Sequence, residues 1–224
     1  MEPSFNGTVM QEYLAEAYRL VDSQGGDPYI ATSALAERMN VTAPAVSAVI
    51  KRLKERGLIE HEPYKGMRLT QKGEHEALLS IRRHRLAEIF MVKVMGFDWA
   101  DVHDDADALG GVISDKVAER MELMADFPKR CPHGEPIPSR EGVMPVVQDE
   151  PLHSVEAPAN LIVSRVKTHD PDILRYLATL KLTPAQKIRL LNRAPFNGPL
   201  RLSIDGHEQV IGSELAADIR VSRV

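Results

Sequence analysis

Apolar side chains recur every third or fourth position between Thr8 and Gln24. Val9, Tyr13, Ala17, Leu20 and Val21 fall on one face of an amphipathic helix, with Thr8 placed to cap it and Gly25-Gly26 to stop it. A second, short helix opens at Thr32-Ser33 and runs to Met39. After Asn40-Val41, the stretch from Thr42 to Arg56 predicts a third, with Thr42 as its cap, Pro44 in its first turn and Gly57 beyond its end. The period then changes from 3.6 to 2. Leu58 to Glu62 and Met67 to Thr70 read as two short strands around Pro63-Tyr64-Lys65-Gly66. Helix, helix, turn, helix and hairpin in this order spell a winged helix-turn-helix.

Thr70 caps a long helical pattern reaching about Met95, with Leu78, Leu79, Ile81, Leu86, Ile89, Phe90 and Val94 as its apolar positions. Two more helices are expected from Trp99 to Ile113 and from Ser114 to Met124, and three helices behind such a head suit dimerisation. Seven of the fifteen prolines then fall between Ala125 and Pro158, which forbids long helices and reads as a partly ordered linker. Beyond Asn160 come short alternating strands such as Leu200–Ile204 and Ile219–Val221, one helix at Asp172–Leu180, and the turn pairs Asn197-Gly198 and Asp205-Gly206. The expected fold is mainly α with small β parts. It comprises a winged helix-turn-helix at 1–73, a helical dimerisation and metal-binding domain at 74–140, a Pro-rich linker at 141–158 and an SH3-like β-barrel at 159–224.

A chain that is 43% hydrophobic and 27% charged folds as a globular protein. No window approaches the ~20 consecutive apolar residues of a membrane span, and the start lacks the basic-then-apolar layout of a signal peptide. The cytoplasm is the expected compartment, and a membrane is not an expected partner. The net charge of −4 argues against indiscriminate coating of nucleic acid, but charge is sorted along the chain. From Thr42 to Arg85 ten Lys or Arg face five Glu; from Leu86 to Pro128 three face ten acids. A basic segment followed by an acidic one suits phosphate binding beside cation binding.

The third helix has the layout of a recognition helix. Val46, Val49, Ile50 and Leu53 can face the core, leaving Thr42, Pro44, Ala45, Ser47, Ala48, Lys51 and Arg52 for bases and phosphates of double-stranded DNA. Lys65 and Arg68 in the wing are the expected backbone contacts. Ala45 and Ala48 stand where hydrogen-bonding base readers would, so thymine methyl contacts and DNA shape are expected to carry part of the specificity.

His84 and Glu88 are four residues apart on one predicted helix, and His103 and Asp107 are four apart on the next, so each pair projects from one face. Glu12 and Glu16 on the first helix, Asp104 and Asp105, Cys131-Pro-His133, and His169-Asp-Pro-Asp172 add further donors. Carboxylates at this density repel one another unless a cation is bound. Imidazole, carboxylate and one thiol together suit Mn, Fe, Co or Zn rather than Ca or Mg. A metallohydrolase would use similar ligands, but no nucleophile motif or phosphate cradle accompanies them, and a small-molecule substrate is not expected.

These motifs resemble the family of metal-dependent repressors that includes the diphtheria toxin repressor, the iron-dependent regulators and the manganese transport regulator. The resemblance rests on Glu12-Tyr-Leu, Thr42-Ala-Pro-Ala-Val-Ser47, Leu69-Thr-Gln-Lys-Gly73, Arg83-His-Arg-Leu-Ala-Glu88, Val102-His-Asp104, Cys131-Pro-His-Gly-Glu-Pro-Ile-Pro138 and a C-terminal domain similar to the FeoA type. It implies a homodimer that binds a palindromic operator, represses metal-uptake genes and is not an enzyme, with two metal sites per subunit. A primary site would take Glu12, His84 and Asp107, while Gly110 and Gly111 stand at two further ligand positions without a side chain to offer. An ancillary site would take His84, Glu88 and His103, or Glu88, Cys131, His133 and Asp172, with His169 or Asp172 as the C-terminal domain's contribution. Mn(II) is the expected ion and Fe(II) the second, with Co, Cd and Zn binding in vitro. A winged-helix protein that no longer senses metal is the alternative that Gly110 and Gly111 suggest.

Overall fold

A computed structural model describes residues 7–25, 27–62 and 64–224, with side chains from Val9 onward. The expected capping side chain of Thr8, the stop at Gly26 and the turn position Pro63 lie outside the described residues. The chain divides into two compact units. The first takes the residues up to His84, Asp107–Ala118 and Pro138–Pro145; the second takes Arg85–Ala106, Glu119–Ile137 and Val146–Val224.

The first unit is built on helices α1 (Gly7–Ser23), α2 (Thr32–Arg38) and α3 (Ala43–Glu55), strands β1 (Ile59–Glu62) and β2 (Gly66–Leu69), and the start of α4 (Gln71–Phe90). Its core joins Tyr13, Leu14 and Ala17 of α1, Leu35 of α2, and Val46, Val49, Ile50 and Leu53 of α3 with Ile59, Met67 and Ala77. Burying each large aliphatic side chain contributes roughly 1.5–3 kcal/mol, which fixes the face of α3 left outside. In the wing, Ile59 pairs with Leu69 and Glu62 with Gly66. Ile30 bridges to Met67 from the other side. Gly66 sits at φ 107°, and a Cβ there would lie 2.2 Å from the Ile30 oxygen, so only glycine fits. The expected cap of α4 is present: the Gly73 N–H donates to the Thr70 hydroxyl at 3.1 Å, and that hydroxyl donates to the Gly57 oxygen at 2.8 Å.

The α-helical part of α4 ends at Phe90, five residues short of the expected limit, and gives way to a π-turn over Met91–Met95 closed by Gly96 at φ 80°. Helix α5 (His103–Gly110) is shorter than its pattern because the Asp98 side chain takes the Ala100 N–H at 2.8 Å and makes a turn of residues 98–101. Helix α6 covers Asp115–Met124.

In the second unit six antiparallel strands follow the order β3-β8-β4-β5-β6-β7. They are β3 (Glu150–Pro151), β4 (Ala159–Val166), β5 (Lys187–Arg193), β6 (Leu200–Ile204), β7 (His207–Ile211) and β8 (Ile219–Arg223), accompanied by α7 (Pro171–Thr179) and α8 (Ser213–Ala217). Leu200, Leu202 and Ile204 point inward and Arg201 outward, the alternation that the sequence displays. The sheet also takes in residues that the proline count assigned to a linker. Glu150 pairs with Val221, and Leu152 and Val155 are buried in the core. Proline is tolerated there because β3 is an edge strand, where a missing N–H interrupts no ladder. Among the described residues no helix is long and apolar enough to cross a membrane.

Candidate metal centres

Within the second unit, one donor atom from each of Glu88, Cys131 and His133 lies within 4.8 Å of the others, and all three residues are buried. The turn that brings Cys131 and His133 together is set by the Cys131 N–H donating to the Glu135 oxygen at 2.9 Å and the Gly134 N–H to the Cys131 oxygen at 3.0 Å. Gly134 has φ 85°, and a Cβ there would stand 2.3 Å from the Ser164 oxygen, so the turn can lie against β4 only with glycine. The Val166 N–H, at the end of β4, donates to the His133 oxygen at 2.9 Å. Glu88 Oε1 is 3.2 Å from His133 Nδ1 and 3.4 Å from His103 Nδ1, while Cys131 Sγ is 4.0 Å from His133 Nδ1. The His169 ring stacks on His103 with centroids 3.8 Å apart and meets His133 edge-on at 5.8 Å.

Asp172 is not brought to this cluster. Its side chain is 92% exposed and accepts from Arg175 at 3.0 Å. The His-Asp-Pro-Asp motif serves α7 instead: Asp170 accepts from the Asp172 and Ile173 N–H groups at 2.8 and 3.2 Å. Burial pushes the Cys131 thiol well above its ordinary range, and the carboxylate of Glu88 adds to the effect. A carboxylate, a thiol and an imidazole withdrawn together from water fit a divalent cation, which would displace the thiol proton and offset the buried charge.

The first unit gathers a second, more open group. His84 Nδ1 lies 2.8 Å from Asp107 Oδ1. Burial raises the pKa of the half-buried Glu12 carboxyl, and the charge of Asp107 raises it further. Two oxygens and one imidazole nitrogen are therefore assembled from α1, α4 and α5. Glu16 cannot complete them, because Arg19 and Arg38 hold it, the latter at 2.7 Å. Asp104 and Asp105 are exposed. Gly110 has a packing reason to be bare: a Cβ would stand 3.0 Å from His84 Cα and 3.1 Å from His84 N.

On α3, Val46, Val49, Ile50 and Leu53 are buried, whereas Thr42, Pro44, Ser47, Ala48 and Lys51 are exposed and Ala45 and Arg52 half-buried. Thr42 occupies the cap position but makes no side-chain capping bond. Ser47 donates its hydroxyl to the Ala43 oxygen at 2.9 Å. In the wing, Lys65 and Arg68 are bound to Glu62 and Glu60.

Sequence reasoning missed two supports of the buried cluster. His133 Nε2 is bonded to the Trp99 carbonyl at 2.8 Å, a backbone partner that no residue pattern announces. A ladder of ions runs Arg85–Glu135 (3.2 Å), Glu135–Arg165 (3.0 Å), Arg165–Asp149 (2.8 Å) and Asp149–Arg220 (2.5 Å), and Arg85 also donates to the Pro136 oxygen at 2.5 Å. Its paired members are 16 to 71 positions apart, beyond the reach of local spacing.

Residues 7–67 match the family described as iron dependent repressor, N-terminal DNA binding domain. Residues 70–139 match its metal binding and dimerisation domain, and 150–223 match the FeoA domain. The chain is similar to the structure of a manganese-dependent transcriptional repressor in complex with manganese, at 34% identity and a TM-score of 0.87 over 96% of this chain and 100% of that one. It is similar to ScaR with bound zinc at 30% identity and a TM-score of 0.79, covering 96% and 99%. The iron-dependent repressor IdeR of Mycobacterium tuberculosis is 29% identical over 95% of this chain and 96% of that protein.

Proposed function

The chain belongs to the iron-dependent repressor family of metal-dependent, DNA-binding transcriptional regulators, and on that premise we propose a repressor of metal-uptake genes answering first to Mn(II) and second to Fe(II). The observation that carries the reading is the Glu88–Cys131–His133 cluster, three ligating groups buried together in a chain that also holds a winged helix-turn-helix. A hydrolase is set aside, because the matched families and relatives are repressors.

Glu12, His84 and Asp107 are assigned to the activating site, where oxygen donors and one imidazole favour Mn(II). Glu88, Cys131, His133, His103 and His169 are assigned to the ancillary site, whose thiol also admits Fe(II), Co(II), Zn(II) and Cd(II). When bound, the ion supplies positive charge and coordination bonds between these side chains. Glu12 and Asp107 repel each other without it, so the closed arrangement of α1, α4 and α5 is the one that metal favours. If that arrangement is also the DNA-competent one, the affinities for metal and for DNA rise by the same factor.

Val94, Met95, Phe97, Leu123, Met124 and Phe127 of the second unit are each 40–55% exposed, an apolar surface that suits the homodimer of the family. A twofold dimer matches a palindromic operator. The cytoplasm is the assigned compartment.

The test is selection from a fragmented genomic DNA library at fixed moderate salt, once with chelator and once with Mn(II). Enrichment of a few palindromic sites only with Mn(II) is expected. Retention of the same sites in both would remove the metal switch, and no enrichment in either would remove DNA binding.

A further inference from the structure

The wing of the head is electrically closed on itself. Between Ile59 and Leu69 it carries Glu60, Glu62, Lys65 and Arg68, two acids against two bases. Arg68 binds Glu60 at 2.5 Å, Lys65 binds Glu62 at 2.8 Å, and the Tyr29 hydroxyl also donates to Glu62. Both cations lie over the Tyr29 ring, Lys65 Nζ at 5.3 Å and Arg68 Cζ at 5.7 Å from its centroid. Exposed ion pairs are individually weak. Even so, a phosphate that drew either cation away would meet the carboxylate left behind. The hairpin therefore brings no net charge to DNA and gains nothing from counterion release.

What the wing does present is Tyr64. Its side chain stands wholly in solvent at the hairpin tip, and its backbone is left-handed at φ 68°. A bulky residue is strained there, whereas Gly or Asn would make the turn without strain. Neither packing nor turn chemistry accounts for the ring. A single exposed aromatic means little by itself; its place at the tip of the element beside a recognition helix decides the matter.

The geometry points to Tyr64 as the wing's DNA contact, its ring entering the minor groove beside the half-site read by α3 and favouring A·T pairs there. This rests on the DNA-binding reading above. The minor groove is about 6 Å wide, which admits a flat ring. At A·T pairs it offers the adenine N3 and thymine O2 acceptors to a phenol hydroxyl, and at G·C pairs the guanine amino group obstructs it. Apolar side chains are a known means of holding this groove. The charge for phosphate binding comes from Lys51, Arg52 and Lys54 of α3 instead.

The probe is a duplex selected from a random library by the unchanged chain with Mn(II), remade with A·T or G·C pairs flanking each half-site. The unchanged chain is expected to bind the A·T-flanked duplex about tenfold tighter. Tyr64→Ala should abolish that preference and leave the slope of log K against log salt unchanged, with Mn(II) binding and circular dichroism intact. Tyr64→Phe keeps the ring and should lose only the hydroxyl's share. Lys65→Ala should leave the salt slope unchanged. Equal affinity and flank preference in Tyr64→Ala would overturn the assignment, as would a slope shallower by about 0.9 in Lys65→Ala, which marks a lost phosphate contact. If the unchanged chain selects no duplex, the DNA-binding reading itself falls and Tyr64 falls with it.

Discussion

His133 gives its Nε2 hydrogen to the Trp99 carbonyl at 2.8 Å, and this bond decides which nitrogen faces Glu88. A carbonyl only accepts, so Nε2 carries the hydrogen of this bond and Nδ1 is the nitrogen turned toward Glu88. Nδ1 stands 3.2 Å from a buried carboxylate oxygen and 4.0 Å from the Cys131 sulfur. A carboxylate oxygen, an imidazole nitrogen and a sulfur facing one another out of water are the donor set that a divalent cation takes.

His133→Ala should therefore remove one metal equivalent per chain, or weaken it by at least about the ten- to hundredfold that loss of a supporting partner alone produces. Competition against a chelating dye, with α-helix content followed alongside, measures this. Undiminished stoichiometry and affinity would show that the cluster is not a metal site.

Cys131→Ser tests the softness of the same site. Thiolate favours Zn(II) and Cd(II), while a hydroxyl in its place favours neither, so the variant should lose Cd(II) affinity by more than it loses Mn(II) affinity. Since burial and Glu88 keep the thiol protonated, binding displaces a proton, and Cd(II) affinity in the unchanged chain should climb with pH more steeply than in the variant. Absence of an ultraviolet sulfur-to-Cd(II) charge-transfer band in the unchanged chain would exclude Cys131 as a ligand.

The helices, the wing and the cap at Thr70 were legible because their signals are local: periods of 3.6 and 2, and a hydroxyl three residues before Gly73. Cys131 and His133 were legible for the same reason, being two residues apart. Asp172 misled because Asp-Pro-Asp is also helix-cap chemistry, and in α7 the capping use prevails. Glu16 misled because it is taken by Arg19, three positions on along α1, and by Arg38, 22 positions away. His169 could be named as a donor, but its stacking on His103 depends on where the turn after β4 meets α5, which no spacing encodes.

Gly110 gives a prediction with two opposed effects. Replacing glycine by alanine inside a helix is ordinarily worth about 1 kcal/mol in favour of alanine, and less at Gly110, the last residue of α5. Here the new Cβ would press on the His84 backbone at 3.0–3.1 Å, and α4 cannot yield as a flexible side chain would. Overpacking of this kind costs about 1–3 kcal/mol, so Gly110→Ala should lower the thermal midpoint. Gly110→Glu should lower it further without adding a metal ligand. A raised midpoint, or a gain in Mn(II) affinity with glutamate, would show that the space is open after all.

Asp149 carries the last prediction. Its side chain is fully buried and takes bonds from Arg165, Arg220 and the Ser164 hydroxyl. Burial alone would raise its pKa, but these bonds and the charge of Arg165 hold it below its ordinary value. A carboxyl whose folded pKa is depressed contributes stability that is fully present above the unfolded value of about 3.9 and is lost as pH falls through the folded value. Asp149→Asn leaves two guanidinium groups short of a counter-charge and should cost about 3 kcal/mol at pH 7. As pH falls through the folded value the gap between variant and unchanged chain should shrink, because the native carboxyl is then being protonated as well. Urea unfolding of both proteins at pH 7, 4 and 2.5 reads the effect, and a gap that stays constant across the three would mean that the charge on Asp149 does not hold Arg165 and Arg220 in place.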